Sequence, residues 1–420
     1  MRLRALAAIG TFLLAAGCGS AGEAGSVTQH LVRADVPRAA ESVSQADAAA
    51  LRDGNALFAC RLLAEVARGS PNVALSPASV SQAMSMAFAG AHGTTATQMA
   101  DALDFGLPPD RLGAAFNAAD RALGEVNGPD VTLGVANALY GQVGQRFREA
   151  FLRVLARDYG AGLRTADFER AAEAARAQIN AWVSEQTRDK IPELLGPGDV
   201  DPSTRLMLVN AVYLKARWLA PFTKQSTFPA VFHAPSGAVN VPTMHQTGTF
   251  AYRQGAGYQA LELPYRGGRL AFDILLPSPG GLQSLLARLG GDDGPLMLLD
   301  GLRRQRVQLA LPKLRIDTRF ELASALKALG MGLAFEPGGA DLSGIAGKPG
   351  DLYIKSVVHE AYLTVDEAGT EAAAATGVGI SAAALPAQPP IDFVVDRPFA
   401  FVLRDVKTGA VLFAGVVSRP

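Results

Sequence analysis

Apolar positions recur at helical spacing in the first half of the chain, whereas in the second half they alternate or run together. Between residues 55 and 68 the apolar side chains fall on one face of a helix. Similar patterns predict helices at 79–89, 97–103 and 171–187. Helices therefore predominate early and strands late. This distribution predicts an α+β fold, and no internal repeat indicates a solenoid.

Strand patterns share apolar runs or alternation of four to thirteen residues bounded by Gly, Pro, Asn or Asp. They predict strands at 72–75, 206–218, on both sides of the turn 266–268 within 261–277, at 306–316, 399–403 and 411–417, and a shorter strand of three residues at 393–395. The first of these ends at a Ser-Pro turn, and a Lys-Thr-Gly turn separates the last two.

The composition is that of a large globular protein without an excess of charge. Of the 420 residues 49% are apolar, and 39 basic residues balance 39 acidic ones. A nucleic-acid partner is not expected, because binding phosphates needs a positive surface. Beyond the N-terminus no apolar run has the length of a membrane span.

The N-terminus has the pattern of an export signal. Arg2 and Arg4 precede the mostly apolar run 5–16, and Gly17-Cys18 follows. Residues 1–18 resemble a bacterial lipoprotein signal, which implies lipidation of Cys18; an ordinary secretory peptide is the alternative. We expect the protein in the cell envelope or outside the cell, touching a membrane only through this lipid. Cys60 would then be the only free thiol, without a disulfide in the chain.

Domain boundaries follow from composition. Residues 19–51 are rich in Gly, Ala, Ser and Glu and predict a flexible tether. Residues 52–420 are expected to form a single domain. Its size allows a large core, so export without a disulfide is compatible with folding.

Catalytic and metal-binding motifs are missing from the sequence. The five histidines are not spaced as metal ligands, and neither a nucleophile elbow, a phosphate loop nor a dinucleotide fingerprint occurs. We therefore expect no metal, no cofactor and no enzymatic activity. His359 precedes an apolar alternation and is interpreted as a structural polar residue at a strand end.

Residues 367–384 consist almost wholly of small side chains. Read with a period of two, one face is uncharged and carries Thr370, Ala372, Ala374, Thr376, Val378, Ile380 and Ala382. No proline interrupts the run, so it could enter a sheet without losing a ladder hydrogen bond. A short exposed helix capped by Thr370, or a surface linker, are the alternatives.

Several motifs, in order, resemble those of the serpins over residues 52–420. They are Asn-Val-Ala-Leu-Ser-Pro-Ala-Ser at 72–79, Asn-Ala-Val-Tyr-Leu-Lys-Ala-Arg-Trp at 210–218, the run 365–376, Asp-Arg-Pro-Phe at 396–399 and Phe-Ala-Gly-Val at 413–416. The resemblance implies a monomer with three β-sheets, eight or nine helices and an exposed reactive loop at about 367–390.

The resemblance also assigns roles to residues. The hinge of the loop would comprise Glu367, Gly369, Thr370, Glu371, Ala372, Ala373, Ala374, Ala375 and Thr376. The sheet opening would include Trp218, Asn210 and His359. Counting from Glu367 places the reactive bond at Ala383-Ala384, whereas counting back from Pro398 places it near Ala387-Gln388.

The implied function is inhibition of serine proteases by suicide-substrate trapping. The protease would cleave the loop, remain attached as an acyl-enzyme, and be displaced when the loop inserts into the main sheet. Small residues at 381–384 suit a shallow specificity pocket, so elastase-like or subtilisin-like proteases are the expected partners. The hinge lacks bulky, charged or proline residues at Thr370 and Ala372 that would slow entry. A non-inhibitory serpin that acts as a binding or surface-interaction protein is the alternative.

Overall fold

The computed structural model describes residues 30–40, 42–291, 294–370 and 389–420. Within these ranges the chain forms nine α-helices and two hydrogen-bonded β-sheets. The α+β prediction is therefore confirmed. The N-terminal signal, hinge residues 371–376 and both proposed reactive bonds lie outside the described residues. In the described part of the chain, no helix has the length and hydrophobicity of a membrane span.

The first sheet, which has seven strands within the described ranges, carries the candidate site at its centre. In sheet order the strands are β1 (His30–Val32), β4 (Leu163–Ala166), β3 (Val131–Gln142), β5 (Leu206–Arg217), β13 (Gly369–Thr370), β12 (Ser356–Val365) and β11 (Leu314–Glu321). β5 runs antiparallel to β3 and parallel to β12. Covered on both faces, β5 shows the continuous apolar run from which it was predicted.

The second sheet has nine strands among the same residues. In sheet order they are β14 (Ile391–Val394), β10 (Arg303–Pro312), β7 (Gly237–Gly255), β8 (Tyr258–Pro264), β9 (Leu270–Pro277), β15 (Phe399–Asp405), β16 (Val411–Val417) and β2 (Asn72–Leu75), with β6 (Thr227–Ala234) also paired to β7. β7 is long enough to pair with β6 and β10 and then with β8. β7 thus joins two of the three sheets implied by the resemblance into one hydrogen-bonded sheet.

The helices follow local signals as well as tertiary burial. In chain order they are α1 (Gln45–Val66), α2 (Pro77–Phe88), α3 (Gly93–Ala102), α4 (Pro109–Gly124), α5 (Glu149–Tyr159), α6 (Phe168–Gln186), α7 (Leu282–Leu289), α8 (Gly294–Leu299) and α9 (Ala323–Ala328). Proline occupies the first turn of α2 and α4, where its missing N–H costs no bond. The predicted apolar face of α1 is buried through Phe58, Leu62 and Leu63.

The tether predicted at 19–51 differs from the structure in its second half. α1 begins at Gln45, because Ser44 accepts a hydrogen bond from the Asp47 amide and the following alanines favour a helix. Farther upstream, β1 pairs with β4. Edge pairing of this kind depends on residues more than a hundred positions away, so composition alone indicated only a linker.

The strand predicted at 306–316 is in fact two strands that belong to different sheets. β10 ends at Pro312, which lacks an amide hydrogen, and the Lys313 amide donates one last hydrogen bond to the Pro242 carbonyl of β7. β11 then begins at Leu314 and pairs with β12.

A buried apolar cluster joins the two sheets beneath the candidate site. It includes Val212 and Leu363 from the first sheet, and Phe272 and Phe401 from the second. Three members of this cluster, Ala216, Val365 and Tyr265, pair with or bond to β13.

Candidate functional site

β13 lies between β5 and β12 at one end of their seam. Gly369 pairs with Arg217, and Thr370 pairs with both Ala216 of β5 and Val365 of β12, in each case antiparallel. Farther along, β5 and β12 pair directly with each other, from Tyr213–Tyr362 to Met207–Ser356. The first two residues of the predicted insertion segment are therefore already in the sheet, and the rest of the seam is closed.

Gly369 occupies a position that only glycine fits. Its φ angle is 152°, a value that side-chain-bearing residues rarely adopt. A Cβ atom built there would lie 2.0 Å from the carbonyl oxygen of Ala216 and 2.8 Å from the Cα of Arg217. Both contacts are with backbone, so no side-chain rotation could relieve them.

Replacement of Gly369 by alanine should therefore expel β13 from the seam. We expect a loss of about 2 kcal/mol in stability from strain and clash, and faster hydrogen exchange of the Trp218 amide, which donates to the Ala368 carbonyl. Gly257→Ala is the matched control, because Gly257 has a φ of 77° but open space around it. Unchanged exchange at Trp218 in Gly369→Ala would contradict the expectation.

Thr370 is fully buried and anchored by a hydrogen bond. Its Oγ1 lies 2.6 Å from the Tyr265 hydroxyl oxygen. Burial raises the pKa of Tyr265 well above its ordinary value, so the phenol stays protonated. The Tyr265 ring in turn stacks on Trp218, with centroids 4.4 Å apart and planes 13° from parallel. The start of the hinge is thus bonded to one of two stacked aromatic side chains.

The turn that leads into β13 is fixed by its own carboxylate. The Oδ1 atom of Asp366 accepts hydrogen bonds from the amides of Ala368 (2.8 Å) and Gly369 (3.2 Å). On the other side, the Trp218 indole Nε1 donates to the Asp366 carbonyl at 2.9 Å. These bonds hold the chain in the geometry from which β13 enters the sheet.

Glu367 attaches the base of the hinge to two neighbouring segments. Its carboxylate accepts hydrogen bonds from Lys313 Nζ and Thr227 Oγ1, each at 2.9 Å, while its carbonyl accepts from the Phe222 amide. Burial by itself would raise the pKa of Glu367, but the hydrogen bonds from Lys313, from the Glu367 backbone and from Thr227 together outweigh it and leave that pKa lowered. Glu367 is therefore a charged anchor.

A buried polar cluster spans the closed part of the seam. Asn210 and His359 lie opposite each other in register and their side chains are hydrogen-bonded. The Nε2 atom of His359 accepts from the Ser76 amide at 3.0 Å, and Asn210 Nδ2 donates to Ser79 Oγ at 2.5 Å. Asn137 of β3 completes the cluster through contacts with Asn210 and Ser79. The cluster connects three strands to α2.

His359 is neutral in this cluster. Complete burial lowers its pKa to about 3. Because Nε2 accepts a hydrogen bond, the proton is on Nδ1 and is donated to the Asn210 side-chain oxygen. The interpretation of His359 as a residue at a strand end is wrong, since it lies inside β12, opposite the middle of β5.

The structure separates the residues assigned to the sheet opening. Trp218 contacts the hinge directly, whereas Asn210 and His359 lie six residue pairs farther along the seam, about 20 Å away. The interpretation of the sequence missed Tyr265 and Lys313 as hinge contacts. Neither carries a local signal, because both meet the hinge only through tertiary packing.

Potential metal ligands are dispersed among the described residues. No group of three or more His, Cys, Asp or Glu side chains there is arranged to hold an ion. Cys60 is buried, and burial raises the pKa of its thiol to about 12, so it is not a reactive nucleophile.

An α+β fold in which a short strand, β13, lies between two strands of the first sheet is typical of the serpins. Residues 53–420 match this family, described as serine protease inhibitor, and the chain therefore belongs to it. The family is one of inhibitors rather than of catalytic enzymes.

The similarity extends over nearly the whole domain. Leukocyte elastase inhibitor A of Rattus norvegicus is 38% identical over 382 residues, which cover 88% of this chain and 99% of that protein. An uncharacterized serpin-like protein of Thermococcus kodakarensis is 38% identical over 366 residues, covering 86% and 84% of the two chains. The native state of tengpin, a thermophilic serpin, superposes with a TM-score of 0.85 at 26% identity, covering 94% of this chain and 100% of that one.

Proposed function

We propose that this serpin inhibits serine proteases with small-residue specificity by suicide-substrate trapping. The observation that carries the proposal is the position of Gly369 and Thr370 between β5 and β12. Their pairing supplies both the entry point and the register for the rest of the loop, because the two flanking strands already lie in matching register.

Continuing this register along the seam assigns a partner to each later loop residue. Six residues beyond Thr370, Thr376 would fall between Asn210 and His359 and share their face of the sheet. Its hydroxyl would take up the hydrogen bonds that these two side chains now make with each other. The seam ends at Leu206 of β5, opposite Ile380, about 35 Å from the entry point.

The energetics of insertion follow from the residue types. Each inserted residue would form backbone hydrogen bonds on both edges, whereas insertion breaks only the single set of bonds that now joins β5 and β12, so the number of backbone bonds rises. Burial of Val378 and Ile380 in the sheet would add a hydrophobic contribution. The side chains on the buried face are small or β-branched and uncharged, so they enter without a desolvation penalty for a charge. Insertion is thus favourable once cleavage releases the loop from its C-terminal attachment.

Trapping requires that insertion be faster than deacylation. The protease serine attacks the carbonyl of the residue before the cut, and its proton passes to the amide nitrogen, which leaves as the amine of the C-terminal fragment. An ester then joins protease and loop. Insertion then drags the ester tens of ångströms along the sheet. A displacement of about 1 Å in the active site slows chemistry roughly 100-fold, so the ester survives.

The bait residues support a particular target class. We assign the reactive bond to Ala383-Ala384, with Ala387-Gln388 as the second choice, since Ala383 follows shortly after the end of the seam. Alanine and serine before the bond fit elastase-like and subtilisin-like pockets, and the rat relative bears the name of an elastase inhibitor. The signal at residues 1–18 favours a place of action in the cell envelope or outside the cell.

Incubation with pancreatic elastase should give a covalent complex that survives denaturing electrophoresis. Mass spectrometry should find a released peptide that begins at Ala384, whereas a start at Gln388 would select the second bond. Cleaved inhibitor should also withstand heating better than the intact protein, because the inserted strand completes the sheet. Quantitative cleavage without complex at every protease ratio, for elastase and subtilisin alike, would favour the non-inhibitory alternative.

A further inference from the structure

An unpaired basic cluster lies where the loop returns to the body of the protein. Arg303, Arg304 and Arg306, at the start of β10, are exposed. Among the residues that the structure describes, their guanidinium groups have neither an ion-pair nor a hydrogen-bond partner. Many other arginines of this chain do have carboxylate partners, for example Arg38 with Asp120 and Arg269 with Asp405. An unpaired cluster in a chain with no net charge is available to an external partner.

The register of the second sheet places this cluster beside the loop. β14 is the first strand after the loop, and its Ile391 pairs with Val307, the residue that follows Arg306. The neighbouring strands are about 4.8 Å apart. The arginines therefore lie at the edge where the chain emerging from the loop joins the sheet.

The three arginines are divided between the two faces of β10, and all three are exposed. Val307 and Leu309 point into the core, so alternation directs Arg304 and Arg306 to the opposite, solvent-exposed face. Arg303 continues the inward row beyond the core and lines a shallow pocket of about 510 Å³ with Tyr252 and Ile391. Arg253 and Asp300 line the same pocket, and Asp392 lies near the outward face, opposite Gln308, so four positive charges lie near two negative ones.

Chain length brings a docked protease to this surface. From Ala384 to Ile391 an extended chain spans at most about 25 Å. A protease of about 250 residues has a radius of gyration of about 18 Å, so its body is wider than this tether. The rim of its cleft on the side of the leaving peptide must therefore lie over the start of β14 and β10.

We propose that Arg303, Arg304 and Arg306 form an accessory docking surface for the target protease and select enzymes whose rim on the leaving-peptide side is acidic. This inference rests on the inhibitory function proposed above and adds a determinant of specificity outside the loop. The neighbouring β7 residues, Thr247, Thr249 and Ala251, are uncharged. Arg253 follows in the same row of β7 and lines the pocket beside Arg303. The positive area is thus confined to the adjoining ends of β10 and β7, and it lacks the extended stripe from which a polyanionic chain gains affinity.

The test compares two arginine triples with one protease in two charge states. The docking variant is Arg303→Ser/Arg304→Ser/Arg306→Ser. The control Arg121→Ser/Arg146→Ser/Arg170→Ser removes the same charge from exposed positions on α4, just before α5 and on α6. The probes are subtilisin and succinylated subtilisin, in which lysine amines have become carboxylates. Second-order association rates are measured at 20 and 300 mM NaCl.

We expect the unaltered serpin to associate about fivefold faster with the succinylated enzyme at low salt, and the difference to shrink at high salt as screening increases. The docking variant should lose this preference while keeping its yield of covalent complex, and the control should retain it. Equal losses in the two variants, or no preference at all, would overturn the docking surface. So would a heparin affinity that depends on these arginines while the association rates do not.

Failure of the inference is distinguishable from failure of the inhibitory function. If the unaltered serpin forms no covalent complex with either enzyme, the trapping mechanism fails. Succinylated subtilisin with its active-site serine replaced by alanine then still reports on docking, because binding needs no chemistry. Its dissociation constant should rise about fivefold for the docking variant relative to the control, and equal constants would reject the surface.

Discussion

Replacing Thr370 with arginine should convert this serpin from an inhibitor into a substrate. Thr370 is fully buried between Ala216 and Val365 and bonded to Tyr265. A guanidinium there would leave water for an apolar cluster, at a cost of several kcal/mol. About 3 kcal/mol added to the insertion barrier slows entry roughly 100-fold. The acyl-enzyme would then be hydrolysed before the loop inserts. Gel electrophoresis should show cleaved serpin in place of the covalent complex.

Two conservative variants separate size and charge from hydrogen bonding at this position. Thr370→Ser keeps the hydroxyl that faces Tyr265 and should still trap the protease. Thr370→Val keeps the shape but leaves the buried Tyr265 hydroxyl without its hydrogen-bond partner, which costs about 1 to 3 kcal/mol. This variant should give an intermediate yield of covalent complex. A normal yield of complex from Thr370→Arg would show that entry at Thr370 does not control trapping.

Acid should weaken the closed seam through His359. Burial lowers the pKa of His359 to about 3 in the folded protein, whereas an unfolded histidine titrates near 6.5. Below pH 6.5 the unfolded chain therefore binds a proton that the folded chain does not. The contribution of His359 to stability is complete above pH 6.5 and falls as the pH drops toward 3. The loss is about 2 kcal/mol between pH 7 and 5.

The comparison with His359→Gln isolates this effect. Burial raises the pKa of Glu360 and of Asp273 to about 7, so these carboxyls weaken stability as the pH rises, with the opposite sign. Both groups are present in the variant, so their contributions cancel in the difference. In urea unfolding, the stability advantage of the unaltered protein over His359→Gln should shrink by about 2 kcal/mol from pH 7 to 5. Parallel stability curves would contradict a neutral buried His359.

Elements with strong local signals were predictable from the sequence. The apolar run that became β5 and the Ser-Pro turn after β2 lie where the pattern placed them. The start of α1 and the break between β10 and β11 did not follow from the pattern. The start of α1 was not evident from the pattern, because its alanine-rich composition is compatible with both a helix and a linker. The break depends on the pairing of β10 with β7 and of β11 with β12, which belong to different sheets.

By itself, the sequence determined the family and the α+β fold, and it predicted a hinge with one face of small uncharged residues, because propensity and alternation act between near neighbours. Only the tertiary structure decided that Gly369 and Thr370 already lie in the sheet, and that Asn210 and His359 close the seam ahead of them. It also decided that unpaired arginines lie beside the returning loop. These features depend on pairing between residues 84 to 154 positions apart, which no local pattern encodes.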